Sequence, residues 1–224
     1  MQAEQVRFRR RGLDASVALG GVGLLVVCAI PARNGTVGSF ERSVFEAING
    51  LPNWLLPFAQ SAQFLGILVV GPIFAVVALL LKRYRLAIAA VLVTVGKLAA
   101  ERVVWQLVQR QRPGVTEPDA IVRGDTPENG LSFVSGHVVL VTGLAWIVAP
   151  YLKGRWRVVP WIVVACVGFA RVYLGAHNPL DVLGGVGLGL AIGAAANLIV
   201  GTPERQPFST GAPTSEPYSV HEPS

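Results

Sequence analysis

Charge is what this chain has least of. Only 14% of its 224 residues are Asp, Glu, Lys or Arg, where a soluble domain carries about a quarter. Apolar residues make up 52% and the mean hydropathy is +0.54. A water-soluble domain is excluded, and one integral membrane domain is expected. Cysteine is nearly absent, and both copies, Cys28 and Cys166, fall inside apolar runs, which argues against a disulfide framework. A cleavable leader is not expected either. The basic start followed by an apolar run has the outline of a secretory signal. Yet Pro31-Ala32-Arg33 offers no small-x-small cleavage site, and Cys28 lacks the small residue before it that a lipobox needs. The first run therefore reads as an uncleaved anchor. No internal repeat of the transporter kind is visible either.

What is present is a series of apolar runs near 13–32, 64–81, 86–108, 134–152, 158–176 and 179–200. Each approaches the roughly 20 residues that a bilayer demands. The expected fold is all-α: a six-transmembrane-helix bundle over residues 13–201, a basic N-terminus over 1–12 and a disordered tail over 202–224. The tail is rich in Pro, Ser and Glu, which cannot build a core. Arg7, Arg9, Arg10, Arg11, Lys82, Arg83, Arg85, Lys153, Arg155 and Arg157 all fall on one side of this arrangement, ten of nineteen basic residues. By the positive-inside rule that side is cytoplasmic and holds both termini. The expected location is the inner membrane.

Between the first two runs, Phe40, Val44, Ile48 and Leu51 recur every three or four residues. This predicts a short helix on the outer membrane surface, with a loop packed across the bundle as the alternative. Gly185, Gly189 and Gly193, spaced by four, make a small-residue face. Packing within the bundle is its default use, and a homodimer through these glycines the less favoured one.

The charges inside the third run matter more. Lys97, Glu101 and Arg102 lie in a segment where a charge costs roughly 2.5–3.5 kcal/mol, so they should face protein or water. Lys97 and Glu101, four apart, pair with each other in the simplest reading. Arg110-Gln-Arg112-Pro113 follows, and the proline ends the helix with Arg112 at the water interface. Residues 114–133 then read as a lid or a solvated connection. The fourth run opens with Ser132-Phe-Val-Ser135-Gly136-His137. The serines are N-cap candidates there, and Gly136 admits a ligand close to the backbone.

Arg171, His177 and Asp181 lie between the last two runs. His177 and Asp181 are one helical turn apart, so the carboxylate can hold one imidazole nitrogen and leave the other free. Asn178-Pro179 reads as N-cap and first helical residue. The N–H groups of that helix then face Arg171 and His177, which makes an anion site with an oriented histidine.

Arg112-Pro113, Ser135-Gly136-His137 and Arg171-x5-His177-x3-Asp181 together resemble the three motifs of the PAP2 family of lipid phosphate phosphatases: Lys-x6-Arg-Pro, Pro-Ser-Gly-His and Ser-Arg-x5-His-x3-Asp. The resemblance spans residues 60–200 and implies a phosphatase using neither metal nor other cofactor. It implies that His177 attacks phosphorus, that Asp181 holds its tautomer, and that His137 protonates the leaving oxygen and then activates water. It gives Arg112, Arg171, Ser135 and the Gly136 N–H the phosphoryl oxygens. The implied partners are a lipid substrate and the bilayer, with no nucleic acid.

Three positions depart from the motifs: Trp105 for lysine, Val134 for proline and Ala170 for serine. Trp105 removes a cation. Lys97, eight residues back and about 12 Å down the axis, reads as too deep to replace it. Arg102 lies roughly 4–5 Å below. Arg110 is the first candidate, and it is counted with the phosphate-binding residues. The leading expectation is an enzyme acting on an isoprenoid diphosphate or a glycerolipid phosphate at the outer face. A weakened lipid-phosphate binder, motivated by Trp105, and a transporter using Lys97, Glu101 and Arg102 are the alternatives.

Overall fold

The computed structural model describes residues 7–204. In chain order they form β1 (Phe8–Arg9), α1 (Gly12–Ala32), α2 (Ser39–Asn49), α3 (Leu56–Phe64), α4 (Val70–Leu80), α5 (Tyr84–Leu107), α6 (Pro113–Thr116), α7 (Gly136–Val148), α8 (Val159–Tyr173), α9 (Pro179–Val200) and β2 (Thr202–Pro203). The protein is mostly helical. Among the described residues three helical stretches, Gly12–Ala32, Gly154–Tyr173 and Pro179–Val200, are long and apolar enough to cross a bilayer. α5 has the length, at 24 residues, but carries Lys97, Glu101 and Arg102. Val70–Leu80 and Gly136–Tyr151 are apolar but shorter.

The expected run 64–81 is not one helix. The chain breaks between α3 and α4, and Gly66 sits in the break against His137, where a Cβ would come within 2.7 Å of the histidine Cβ. Irregular backbone in an apolar bundle is tolerated where protein covers it, and here it covers the site.

α9 is the central post, with α1 on one side and α7 on another. Gly21 of α1 and Gly187 of α9 let the two backbones touch, a Cβ on Gly187 falling 2.7 Å from the Gly21 carbonyl oxygen. Gly185, Gly189 and Gly193 face α7: Cβ atoms there would meet the backbone oxygens of Ser135, Val139 and Gly143. That face is therefore filled from within the chain, which leaves it closed to the homodimer that the spacing also allowed. Outward, Leu19, Val27, Ile30 and Leu80 are exposed by 65% or more, an apolar exterior of the kind a bundle offers to lipid rather than water.

At one end of the bundle Asp14 is fully buried. Arg11 donates to it at 2.8 and 2.9 Å, Trp146 Nε1 at 2.9 Å and Asn197 Nδ2 at 3.2 Å, tying α1, α7 and α9. β1 pairs with β2 beside this node, so residues 202–203, expected to begin the tail, are held by the basic N-terminal segment. The rest of the expected disordered tail, from 205 onward, lies outside the described residues, as do residues 1–6. A cavity of about 460 Å³ opens here among Arg9, Arg10, Arg11 and Arg157.

The segment 39–49 is a helix, not a loop, and it packs against α8 and α9. Its buried stripe is Glu41, Phe45 and Asn49, while Phe40 is 83% exposed. Two polar residues thus face inward, and they reach the site.

Candidate active site

The end of the bundle opposite Asp14 brings together the start of α7, the turn between α8 and α9, and the stretch leading from α5 into α6. The α8–α9 turn is tight: the N–H groups of Ala176 and His177 both bond back to the Arg171 carbonyl, at 3.0 and 3.2 Å. Gly175 makes it with φ +72°, and a Cβ there would lie 2.7 Å from the Ile121 carbonyl oxygen. Only glycine suits both constraints. The 114–133 segment is bound over this turn and is not a loose connection. Arg123, 6% exposed, donates to the Tyr173 and Leu51 carbonyls at 2.7 and 3.2 Å and stacks 4.2 Å over the Tyr173 ring.

His177 is 4% exposed. Its Nδ1 lies 2.9 Å from the Ser132 carbonyl oxygen and 3.8 Å from Asp181 Oδ2. A carbonyl can only accept, so Nδ1 carries the proton and Nε2 keeps its lone pair. Burial pushes the His177 pKa down to about 4, with Asp181 opposing in part. The ring is a neutral base at physiological pH.

Asp181, fully buried, is the third residue of α9. Its Oδ2 accepts the Asn178 N–H at 2.8 Å, the backward half of a capping box, and its Oδ1 accepts from Arg110 Nη1 at 3.2 Å. Its carbonyl receives the Ser135 N–H at 3.0 Å, which joins the start of α9 to the start of α7. Ser135 is the N-cap of α7, yet its hydroxyl makes no capping bond. Among the described residues Ser135 Oγ, Arg112 Nε and Arg171 Nε are buried without a protein partner. Arg171 spends Nη1 on Gln63 Oε1 at 2.7 Å, and Arg112 spends Nη1 on the Ala176 carbonyl at 3.1 Å. Burial lowers the Arg112 pKa, and Asp181 and Glu101 oppose that. The cations that act on the His137 ring are Arg171, Lys97 and Arg112. Among the described residues no three His, Cys, Asp or Glu side chains converge as a metal-binding set.

Two guanidiniums, a hydroxyl and two helix starts gathered at one end of the bundle are groups that can hold an oxyanion, with a neutral imidazole beside them. The sequence profile of the PAP2 superfamily matches residues 81–205, more than half of the chain. The chain belongs to the PAP2 superfamily.

Relatives of this PAP2 protein include the decaprenylphosphoryl-5-phosphoribose phosphatase of Mycobacterium tuberculosis, 35% identical over 100 residues, 45% of this chain and 53% of that one. The chain thus spans about half the length of the curated relatives it matches. Two crystal structures share its fold. LpxE of Aquifex aeolicus superposes with TM-score 0.61 over 71% of this chain and 95% of that one. A transmembrane PAP2-type phosphatidylglycerolphosphate phosphatase from Bacillus subtilis gives 0.62 over 82% and 94%. Both are 21% identical to this chain.

Most residues expected from the three PAP2 motifs meet: His137, His177, Asp181, Arg112, Arg171, Ser135 and Gly136 share one end of the bundle. Arg110 does not belong with the phosphate-binding set. Its side chain is fully buried, and it donates to both oxygens of Glu41 at 2.9 and 2.7 Å as well as to Asp181. Burial disfavours its charge, but the two carboxylates more than offset that and raise its pKa. Its charge is spent inside the protein. Arg102 is exposed and is no substitute either.

Several site neighbours escaped the sequence reading. Glu41 clamps Arg110 and also accepts the Leu180 N–H at 3.0 Å. The polar members of the Glu41–Phe45–Asn49 stripe were a usable signal, since a lipid-facing helix would not place two polar residues eight apart on the same face as a buried phenylalanine. Gln63 comes from the last turn of α3, just before the expected second span, and Gly66 from the break that follows. The Ser132 carbonyl carries no side-chain signal at all. Lys97 and Glu101, paired at 2.6 Å as their spacing suggested, lie against Gly136: a Cβ there would collide with Glu101 Oε1 and come within 2.9 Å of Lys97 Nζ. The lysine is not too deep.

Proposed function

We propose that this chain is a lipid phosphatase that works through a phosphohistidine. The observation that carries the reading is the set of unspent donors, Arg112 Nε, Arg171 Nε and Ser135 Oγ, beside a histidine whose Nδ1 proton is committed to a backbone carbonyl. The free His177 Nε2 attacks phosphorus in line. The Nε2–P bond forms as the P–O bond to the lipid breaks, and His137 gives its proton to the leaving oxygen. Water then attacks the phosphohistidine, His137 takes a proton from it, and phosphate leaves. The guanidiniums and the helix starts hold the equatorial oxygens, since phosphoryl transfer asks chiefly for position and charge. Asp181 acts through Arg110 and the α9 start as much as through the imidazole. No step requires a metal ion.

We place the site at the outer face of the cytoplasmic membrane. Six crossings are completed by α3–α4, α5 and α7, with α2 lying at the outer surface and both termini inside. The cluster of Arg9, Arg10, Arg11 and Arg157 at the opposite end supports that orientation. The substrate class is a phosphate or diphosphate ester on an isoprenoid or glycerolipid. The Mycobacterium relative's name adds the phosphate of a prenyl-linked sugar to the candidates.

The test is phosphate release by purified protein in detergent from a panel of such lipids, with and without a chelator. Wild-type protein should turn over at least one of them, chelator should not matter, and His177→Ala should lower the rate by at least about a thousandfold. Release by the variant at the wild-type rate would overturn the mechanism. The weakened-binder reading keeps one observation in its favour, Trp105 in the first motif, and it predicts lipid binding with no release by either protein.

A further inference from the structure

Lys97 and Glu101 are the costliest pair in the bundle that the mechanism above leaves idle. Their side chains are 12% and 10% exposed, on a helix otherwise rich in Ala, Val and Leu. A pair one turn apart satisfies itself on any face of a helix, so the pairing alone explains neither its cost nor its position. The position is specific. Both heads rest on Gly136, the first residue of α7, whose neighbours Ser135 and His137 are site residues. Any side chain at Gly136 would strike them. Lys97 is among the cations acting on His137, and Glu101 among the anions acting on Arg112, so the field of the pair is felt at both groups.

An ammonium has three donors. Among the described residues Lys97 Nζ pairs with Glu101 Oε2 at 2.6 Å, which leaves two donors for a ligand. Arg110 cannot play this part because Glu41 and Asp181 hold it. Arg102 points outward. We infer that Lys97, held by Glu101 beside Gly136, is a phosphoryl-binding residue of this site and supplies the positive charge that Trp105 does not. The inference deepens the phosphatase reading and rests on it for the identity of the ligand. Glu101 positions the ammonium and, being an anion itself, weakens the site's hold on phosphate.

That last point makes the inference testable, because the two residues should answer with opposite signs although they share one bond. The probe is orthovanadate, titrated by calorimetry into full-length protein in detergent. Lys97→Met should weaken vanadate binding by about ten- to a hundredfold. Lys97→Arg should stay within about tenfold of wild type. Glu101→Gln should tighten binding severalfold, as expected when a like charge leaves an anion site. A pair that only braces α5 against α7 would show both variants losing thermal stability with vanadate affinity unchanged, or shifted in the same direction. Either result overturns the proposal, as does wild-type protein that takes up no vanadate. If Lys97→Met alone fails to fold around an unpaired Glu101, the double variant Lys97→Met/Glu101→Gln removes both charges and should still bind more weakly than Glu101→Gln. The readout needs no turnover. Failure of the phosphatase reading would appear as no phosphate release from any lipid, a separate result from equal vanadate binding by wild type and Lys97→Met.

Discussion

The two ends of the bundle bury charge in opposite ways. Around Asp14 each neighbouring donor is used: Arg11, Trp146 and Asn197 all point at one carboxylate and join three helices. Around His177 the arginines are only half used, and a serine at a helix start withholds its hydroxyl. Burying a polar group without a partner costs free energy, and a fold selected for stability alone would not cluster several such groups. The first arrangement is what a bundle needs to hold its helices. The second is what a site needs to receive an anion. Arg110 shows the contrast within one tripeptide of sequence, for both its Nη atoms are held by carboxylates while Arg112 gives one to a backbone carbonyl, although Nε is unpartnered in both.

The comparison can be broken first at the buried charges that are paired within the protein. Arg110→Met should leave Glu41 and Asp181 buried without their cation and cost about 3–5 kcal/mol, read as a large drop in thermal midpoint in detergent. A harmless substitution would return Arg110 to the phosphate-binding set. Asp14→Asn should cost less, about 1–3 kcal/mol, and leave the rate of the folded fraction unchanged because the node lies at the other end. Activity lost in step with stability is expected for Arg110 but not for Asp14.

Acidification should act more gently. The fold keeps His177 neutral down to about pH 4, whereas an exposed histidine takes its proton near pH 6.5. Above that pH His177 contributes nothing to the pH dependence of stability. Below it the unfolded chain binds a proton that the folded chain refuses, so stability falls as pH drops towards about 4. Midpoints measured from pH 7 to 5 should show this slope in wild type and less of it in His177→Ala. Equal slopes would mean that the imidazole is not held neutral. Ser135→Ala should be the mildest in stability, since its hydroxyl bonds to nothing in the protein. The rate should nevertheless fall by about tenfold if that hydroxyl meets phosphate. A loss of stability with no change in rate would make it structural.

These contrasts also separate what could be seen without coordinates from what could not. The apolar runs, the sparse charges and three short motifs were enough for a helical membrane fold, the PAP2 resemblance and seven residues that the fold gathers at one end, because side-chain spacing and local helix signals are properties of the chain itself. Asn178-Pro179 before Asp181 is a helix start wherever it is placed. The glycines of α9 likewise had to meet some backbone, but which one was open until α7 was found against them. The reading of 64–81 as one unbroken helix failed because hydropathy does not register the break between α3 and α4 that sets Gly66 against His137.

Sequence alone determined that this protein lives in a membrane and which histidines, aspartate and arginines to bring together. Tertiary structure decided what each charge is for. Arg110 and Arg112 differ by two positions and not at all in chemistry. Glu41, 69 residues away, holds both Nη atoms of Arg110, whereas Arg112 gives one Nη to the Ala176 carbonyl. Lys97 looked too deep when distance was counted along α5 alone, but α7 begins beside it. Partners distant in the chain fix the use of a charge, since electrostatic and hydrogen-bond energies depend on separation in space.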